Sequence, residues 1–101
     1  MIPYRFDPDA DAEFDQAVAH YEAARPGLGA EFRKAVEDAI ATLQAAPQIA
    51  AVYPGVRCRQ YIMTAFPYSI VYADRTDLIY VLAVAHHRRR PGYWKKRLRR
   101  P

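Results

Sequence analysis

The chain has 101 residues, 51% of them hydrophobic, with a net charge of +4 and a single cysteine. This length allows one domain with a modest core, the apolar content excludes a disordered chain, and one cysteine excludes an internal disulfide. No apolar run is long enough to cross a bilayer and no secretion signal opens the chain, so we expect one cytoplasmic domain over residues 1–101 that makes no membrane contact.

The first half predicts a short strand and then two helices. Residues 2–6 are rich in β-formers, and Asp7 with Pro8 forms a helix start, because aspartate caps a helix and proline suits its first position. Residues 26–29 break this helix, and a second helix ends before Pro47. A turn this short predicts a helical hairpin with two apolar stripes, which comprise Phe14, Ala17, Val18, Tyr21 and Ala24 in the first helix and Phe32, Ala35, Val36, Ala39, Ile40 and Leu43 in the second.

Beyond Gly55 the apolar period changes to two, which is typical of strands. The first of these strands lies near residues 57–62, the next spans 66–73, and 78–85 is apolar enough to be a central strand buried on both faces. We therefore predict an α+β protein of order β-α-α-β-β-β with a basic C-terminal tail, in which the N-terminal strand and helical hairpin pack on one face of a small antiparallel sheet and the other face stays open. The strand near residues 57–62 should place Arg57, Arg59 and Tyr61 on one face and Cys58, Gln60 and Ile62 on the other.

The charge is unevenly distributed along the chain. Residues 1–50 hold four basic and nine acidic residues, a net −5, whereas residues 51–101 hold eleven basic and two acidic residues, a net +9. From His86 onwards there are eight Lys or Arg residues and no acid. Such a field favours an anionic partner, either nucleic acid or an acidic protein segment.

No familiar catalytic set is present. The sequence has no glycine-rich phosphate loop, and Cys58 is expected to be a small core residue rather than a reactive thiol. His86 and His87 are neighbours on a strand, so their side chains should point to opposite faces, and no third ligand is near. We therefore expect neither a metal nor a cofactor.

The remaining candidate is a basic and aromatic cluster. We expect Arg57 and Arg59 to lie near the end of the last strand and the tail. Arginine binds phosphate through a rigid fork, and aromatic rings between arginines stack on exposed bases. The tail residues expected to bind nucleic acid or another target are Arg89, Arg90, Trp94 and Arg97.

Several segments together resemble the RelE/ParE family of toxins from type II toxin–antitoxin systems. Tyr21-Glu22 followed by Gly-Leu-Gly-Ala-Glu-Phe at residues 27–32 is similar to the family's hairpin turn. Phe-Pro-Tyr-Ser-Ile-Val-Tyr at residues 66–72 resembles its aromatic mid-sheet strand. Residues 81–86 and the basic run 88–94 resemble its last strand and tail. Each motif is weak alone, but they are collinear over nearly the whole chain.

The resemblance implies a growth-arresting toxin, bound by a cognate antitoxin in a hetero-oligomer. RelE-like members cleave mRNA on the ribosome, and ParE-like members block DNA gyrase without chemistry of their own. The first branch would make this chain an endoribonuclease. Its catalytic residues would then be Arg57, Arg59, His87, Arg88 and Tyr93.

Two features leave the choice between these mechanisms open. Ser69 stands where the nuclease branch often carries an arginine, and the lysines which that branch often has on the preceding strand are not matched. Equally, no motif in the chain identifies a gyrase inhibitor. A third reading, from a different class, is a non-toxic RNA-binding or adaptor domain on the same scaffold.

Overall fold

The computed structural model describes residues 1–100 as two helices packed on a five-stranded sheet. The α+β class and the helical hairpin are confirmed. Within the described residues, no helix is both long enough and apolar enough to span a bilayer. The elements are β1 (Tyr4–Phe6), α1 (Pro8–Ala24), α2 (Leu28–Ala45), β2 (Ala51–Val52), β3 (Arg59–Ile62), β4 (Tyr68–Arg75), β5 (Leu78–His86) and a 3-10 helix (Lys95–Arg99).

The start of α1 and the turn between the two helices are both fixed by local hydrogen bonds. Asp7 caps α1 by accepting the Asp9 N–H at 2.9 Å, as the sequence predicts. At the turn, the Glu22 carboxylate accepts the N–H groups of Gly27 and Gly29 at 3.0 and 3.1 Å. Gly27 has φ of 90°, a conformation that favours glycine, so the turn needs this residue. These bonds link the end of α1 to the start of α2.

The strands run in the order β1-β5-β4-β3-β2. β2, β3, β4 and β5 pair antiparallel, whereas β1 pairs in parallel with β5, so the sheet is mixed rather than wholly antiparallel. The parallel pair arises because the two helices carry the chain across the sheet before it returns. β2 is a two-residue edge strand that the sequence pattern does not predict.

The core lies between the helical hairpin and the sheet. The stripes of α1 and α2 meet the sheet there, and Phe32, Val36 and Leu43 are completely buried. The predicted packing of the two stripes is therefore confirmed. The strand residues facing them include Ile70, Tyr72, Ile79, Val81 and Val84.

A β-bulge in β5 reverses the alternation of side chains. Val71 pairs with Ala83 but Tyr72 pairs with Val81, which leaves Leu82 as the extra residue. Leu82 and Ala83 consequently lie on the same face, away from the helices. Beyond the bulge the even-numbered residues face the helices, so His86 contacts the Tyr68 ring, with 5.0 Å between ring centroids.

The face opposite the helices is largely covered, so the expectation that it stays open was wrong. The tail folds back over it, and Trp94, only 2% exposed, packs with Val71, Leu82 and Ala85. Leu98 adds a further apolar contact. The tail is thus a third layer of the fold, because the apolar central strands need cover on both faces.

Candidate functional site

The tail is held by Glu13, an α1 residue. Its carboxylate accepts hydrogen bonds from the Tyr93 hydroxyl at 2.7 Å and from the Arg97 guanidinium at 2.9 and 3.0 Å. The Val84 N–H donates to the same carboxylate at 3.2 Å, and Arg97 also donates to the Leu82 carbonyl at 2.9 Å. β1 ends at Phe6, so these side chains satisfy backbone groups of β5 that have no strand partner there.

A second carboxylate holds the end of the tail. Asp7 is fully buried and accepts hydrogen bonds from Tyr80 Oη and from an Arg100 guanidinium nitrogen, both at 2.9 Å. Asp7 therefore both caps α1 and anchors the tail. Asp7 and Glu13 both come from the acidic half of the chain. Sequence reasoning placed Asp7 only at the start of α1 and did not identify Glu13 as an anchor, although the opposite charges of the two halves, −5 and +9, were a signal that the halves attract each other.

The aromatic side chains of the tail make contacts within the fold. The Tyr93 ring lies beneath the guanidinium groups of Arg89 and Arg97, 3.9 and 5.3 Å from its centroid. Burial, followed by the hydrogen bond to Glu13, raises the pKa of Tyr93 above its ordinary value, so its hydroxyl stays protonated and donates. Trp94 is buried against Tyr53. Neither ring is presented for stacking on a base.

Between the tail and the ends of β3 and β4 lies a cleft of about 410 Å³. Ile62, Val71 and Ala85 contribute apolar surface to it, whereas His87, Arg89 and Arg90 contribute polar and basic groups. His87, Arg89 and Arg90 are all exposed. The cleft therefore combines an apolar floor with a basic rim. We call it the basic cleft.

Ser69 and His87 meet in the basic cleft. The Ser69 Oγ lies 3.0 Å from His87 Nε2, and the His87 N–H donates to the Pro67 carbonyl at 2.9 Å. Ser69 is 1% exposed and His87 is exposed. A hydroxyl beside an imidazole can exchange a proton, yet within residues 1–100 no carboxylate bonds to His87 to orient it. On the opposite face, burial and then the charge of Arg88 lower the pKa of His86.

Arg57 and Arg59 lie away from the end of β5. Arg59 pairs with Tyr72, whereas His86 pairs with Tyr68, four residues earlier in β4, which corresponds to about 13 Å along the strand. The Arg59 guanidinium donates to the carbonyls of Ala50 at 2.7 Å and Gln48 at 3.3 Å, so it holds the loop after α2. Arg57 is exposed in a different depression, beside Asp74. The structure therefore does not bring this pair together with His86 and His87 at the end of β5.

The other tail cations are exposed. Within residues 1–100 six of them form no ion pair, in contrast to Arg97 and Arg100. Residues 1–100 also contain no group of His, Cys, Asp and Glu side chains suited to a metal ion. Cys58 is buried, as expected for a core residue. The six exposed cations are Arg88, Arg89, Arg90, Lys95, Lys96 and Arg99, which we call the outer cations.

Comparison with known proteins gives one family and one fold. Residues 4–91 match the family described as ParE toxin of type II toxin-antitoxin system, parDE. A solved structure titled "Chromosomal ParDE TA system from P. aeruginosa" superposes with a TM-score of 0.64, at 18% identity, covering 85% of this chain and 96% of that one. At that identity the likeness is one of fold. No curated protein sequence matches the chain.

Proposed function

The chain belongs to the ParE family of toxins of type II toxin–antitoxin systems, and from this premise we propose that it arrests bacterial growth by binding DNA gyrase in the cytoplasm. We further propose that a cognate antitoxin binds it and neutralises it. In this proposal the protein is a stoichiometric inhibitor rather than an enzyme. The sequence resemblance leaves both gyrase and ribosomal mRNA open, and the geometry of the site favours the first.

The observation that carries the proposal is that three of the five residues expected for cleavage are bound elsewhere or lie apart from the other two. Tyr93 donates to Glu13 and Arg59 donates to the loop after α2. Arg57 lies in a separate depression. A nuclease needs several such groups around one scissile phosphate, within hydrogen-bonding reach of it. What remains exposed is a basic surface, which suits binding of a target protein rather than catalysis.

The basic cleft is the proposed antitoxin site. Its apolar floor offers surface for aliphatic side chains, and its basic rim offers partners for carboxylates. An amphipathic, acidic segment that orders on binding fits both features. The complex would be a toxin–antitoxin hetero-oligomer in which the antitoxin covers Arg89 and Arg90.

Cleavage of mRNA is the second candidate, and one observation favours it. The exposed His87 lies against the Ser69 hydroxyl and directly precedes Arg88. An imidazole can accept and donate a proton, and neighbouring arginines stabilise charge on a phosphodiester. This arrangement supplies two of the roles that cleavage needs.

Two assays on purified protein separate these functions. For a gyrase inhibitor we expect the wild-type toxin to stop supercoiling by gyrase while leaving mRNA on ribosomes intact. Cleavage of ribosome-bound mRNA without an effect on supercoiling would replace the first proposal by the second. Failure in both assays, together with normal growth on induced expression, would leave a non-toxic RNA-binding or adaptor domain.

A further inference from the structure

The tail sorts its cations into two sets. Of the eight Lys and Arg residues after His86, Arg97 and Arg100 turn inward to Glu13 and Asp7. The six outer cations are exposed, and no acidic residue lies in this segment of the chain. Pairing within the fold therefore neutralises only a minority of the tail's charge.

The segment carrying the outer cations is fixed at both ends. The His87 N–H bonds to the Pro67 carbonyl at its start, and Trp94 is buried in its middle. At its end Arg97 binds the carboxylate of Glu13, and Arg100 binds that of Asp7. A segment held this way loses little additional backbone freedom when it binds a partner. The outer cations are thus a prearranged surface rather than a loose basic tail.

This surface offers charge but no stacking platform. Single-stranded nucleic acids are bound through aromatic rings on which successive bases stack. Here Trp94 is 2% exposed, and Arg89 lies over the Tyr93 ring. What the surface can contact is therefore a phosphate backbone.

The density of the charge favours duplex DNA over an acidic peptide. Lys95, Lys96 and Arg99 lie on one 3-10 helix of five residues, about 10 Å long. Duplex DNA presents roughly six phosphates over that distance when both strands are counted, about three per strand, whereas an acidic helix presents about one carboxylate per turn along one face. The duplex can therefore engage more of these cations at once than an acidic helix can.

We propose that the outer cations bind the phosphate backbone of duplex DNA without reading its sequence. The guanidinium forks and ammonium groups would contact phosphate oxygens across one side of the duplex. This activity goes beyond inhibition of gyrase, and it needs neither gyrase nor an antitoxin. The toxin would then bind DNA as well as its protein target.

The test is fluorescence anisotropy of a labelled duplex of roughly 20 base pairs, titrated with purified toxin from about 50 to about 200 mM salt. With four to six phosphate contacts, the logarithm of affinity should fall with the logarithm of salt with a slope of about −3.5 to −5.5. The variant Arg88→Gln/Arg89→Gln/Arg90→Gln should reduce this slope by up to about 2.7. Duplexes of unrelated sequence should bind equally.

The matched control is Arg25→Gln/Arg33→Gln/Lys34→Gln, which removes the same charge from exposed positions on the helical hairpin. It should leave the slope unchanged. A second tail variant, Lys95→Gln/Lys96→Gln/Arg99→Gln, repeats the test should the first fail to fold.

Four results would overturn the proposal. They are no duplex binding, an equal loss of slope in the control, tighter binding of single-stranded DNA than of duplex, and equal binding of a polyglutamate peptide. Because gyrase is absent from the assay, failure here is distinguishable from failure to inhibit supercoiling.

Discussion

Glu13 and Arg97 are 84 residues apart and form a two-bond contact, with Oε1 2.9 Å from one guanidinium nitrogen of Arg97 and Oε2 3.0 Å from the other. The contact lies where the bulge at Leu82 exposes a carbonyl on the unpaired edge of β5. One ion pair therefore completes the sheet edge and fixes the tail. The surface proposed to bind the target is presented from this anchor.

Glu13→Gln should destabilise the fold. The two side chains are 15% and 12% exposed, and removing one partner of a buried ion pair leaves the other charge without compensation. We expect a loss of about 3 kcal/mol in the free energy of unfolding, measured in urea. Glu31→Gln, which breaks the exposed contact with Arg25, should cost less than about 1 kcal/mol. Equal losses in the two variants would contradict a structural role for Glu13.

Phe32→Ala should lower the melting temperature strongly. Phe32 is fully buried and contacts Phe14, Tyr21, Phe66 and Tyr68. Truncation of a buried Phe typically costs about 3–5 kcal/mol, which corresponds to more than about 10 °C in a domain of this size. Differential scanning calorimetry provides the measurement, with the exposed Ile62→Ala as the control. A variant that melts with wild type would contradict the packing of α2 on the sheet.

The helices and the buried strands could be predicted because their determinants are local. Asp7 and Pro8 mark the start of α1, and the spacing of Phe32, Val36 and Leu43 marks the buried face of α2. An uninterrupted apolar run likewise predicts β5. Each signal lies within a few residues of the structure it specifies.

The rest depends on contacts between distant residues. No local pattern places an extra residue at Leu82, yet this bulge decides that His86 faces the helices. The partners of Arg59 are carbonyls of the α2–β2 loop, whose path the sequence does not reveal. The pairing of Glu13 with Arg97 similarly required knowledge of where the tail lies. These contacts are why the predicted basic cluster is divided in the structure.

Cys58 should react slowly in the folded protein. Burial raises the pKa of its thiol from 9.0 to about 11, with a smaller opposing effect of the Lys95 charge. The thiolate fraction at pH 8 is therefore about a hundredfold lower than in the unfolded chain, and alkylation should slow at least that much. Mass spectrometry of iodoacetamide-treated protein, with and without urea, measures this. Similar rates in the two states would show that Cys58 is accessible.

The same shift has a defined effect on stability. A pKa that is higher in the folded state means that the native protein favours the neutral thiol, so this contribution is complete below pH 9 and is lost as pH rises towards 11. Wild type should therefore lose more unfolding free energy than Cys58→Ala between pH 8 and pH 11. An identical loss in the two proteins would exclude this contribution.

Binding of an acidic antitoxin segment should weaken with salt but persist at high salt. Charge pairs at the rim of the basic cleft are screened, whereas apolar contacts on its floor are not. Isothermal titration of an antitoxin peptide at low and high salt measures both parts. Ile62→Asp should weaken binding at every salt concentration, and Ile49→Asp, equally exposed but outside the cleft, should not. An affinity indifferent to salt would argue against the basic rim.

His87→Ala and the variant Arg88→Gln/Arg89→Gln/Arg90→Gln together distinguish inhibition by binding from inhibition by cleavage. All four residues are exposed, so neither variant should change the melting temperature much, whereas Arg59→Ala would disturb the loop that Arg59 holds. For a gyrase inhibitor, His87 performs no chemistry, and its loss should leave the inhibitory concentration in a supercoiling assay nearly unchanged. The triple variant should raise that concentration about tenfold or more, because three charge contacts of about 0.5–1 kcal/mol each are removed. For a ribosome-dependent nuclease, His87→Ala alone should slow mRNA cleavage by about a hundredfold or more, since proton transfer typically contributes that much. If His87→Ala abolishes the inhibition of supercoiling while the triple variant retains it, the binding mechanism is contradicted.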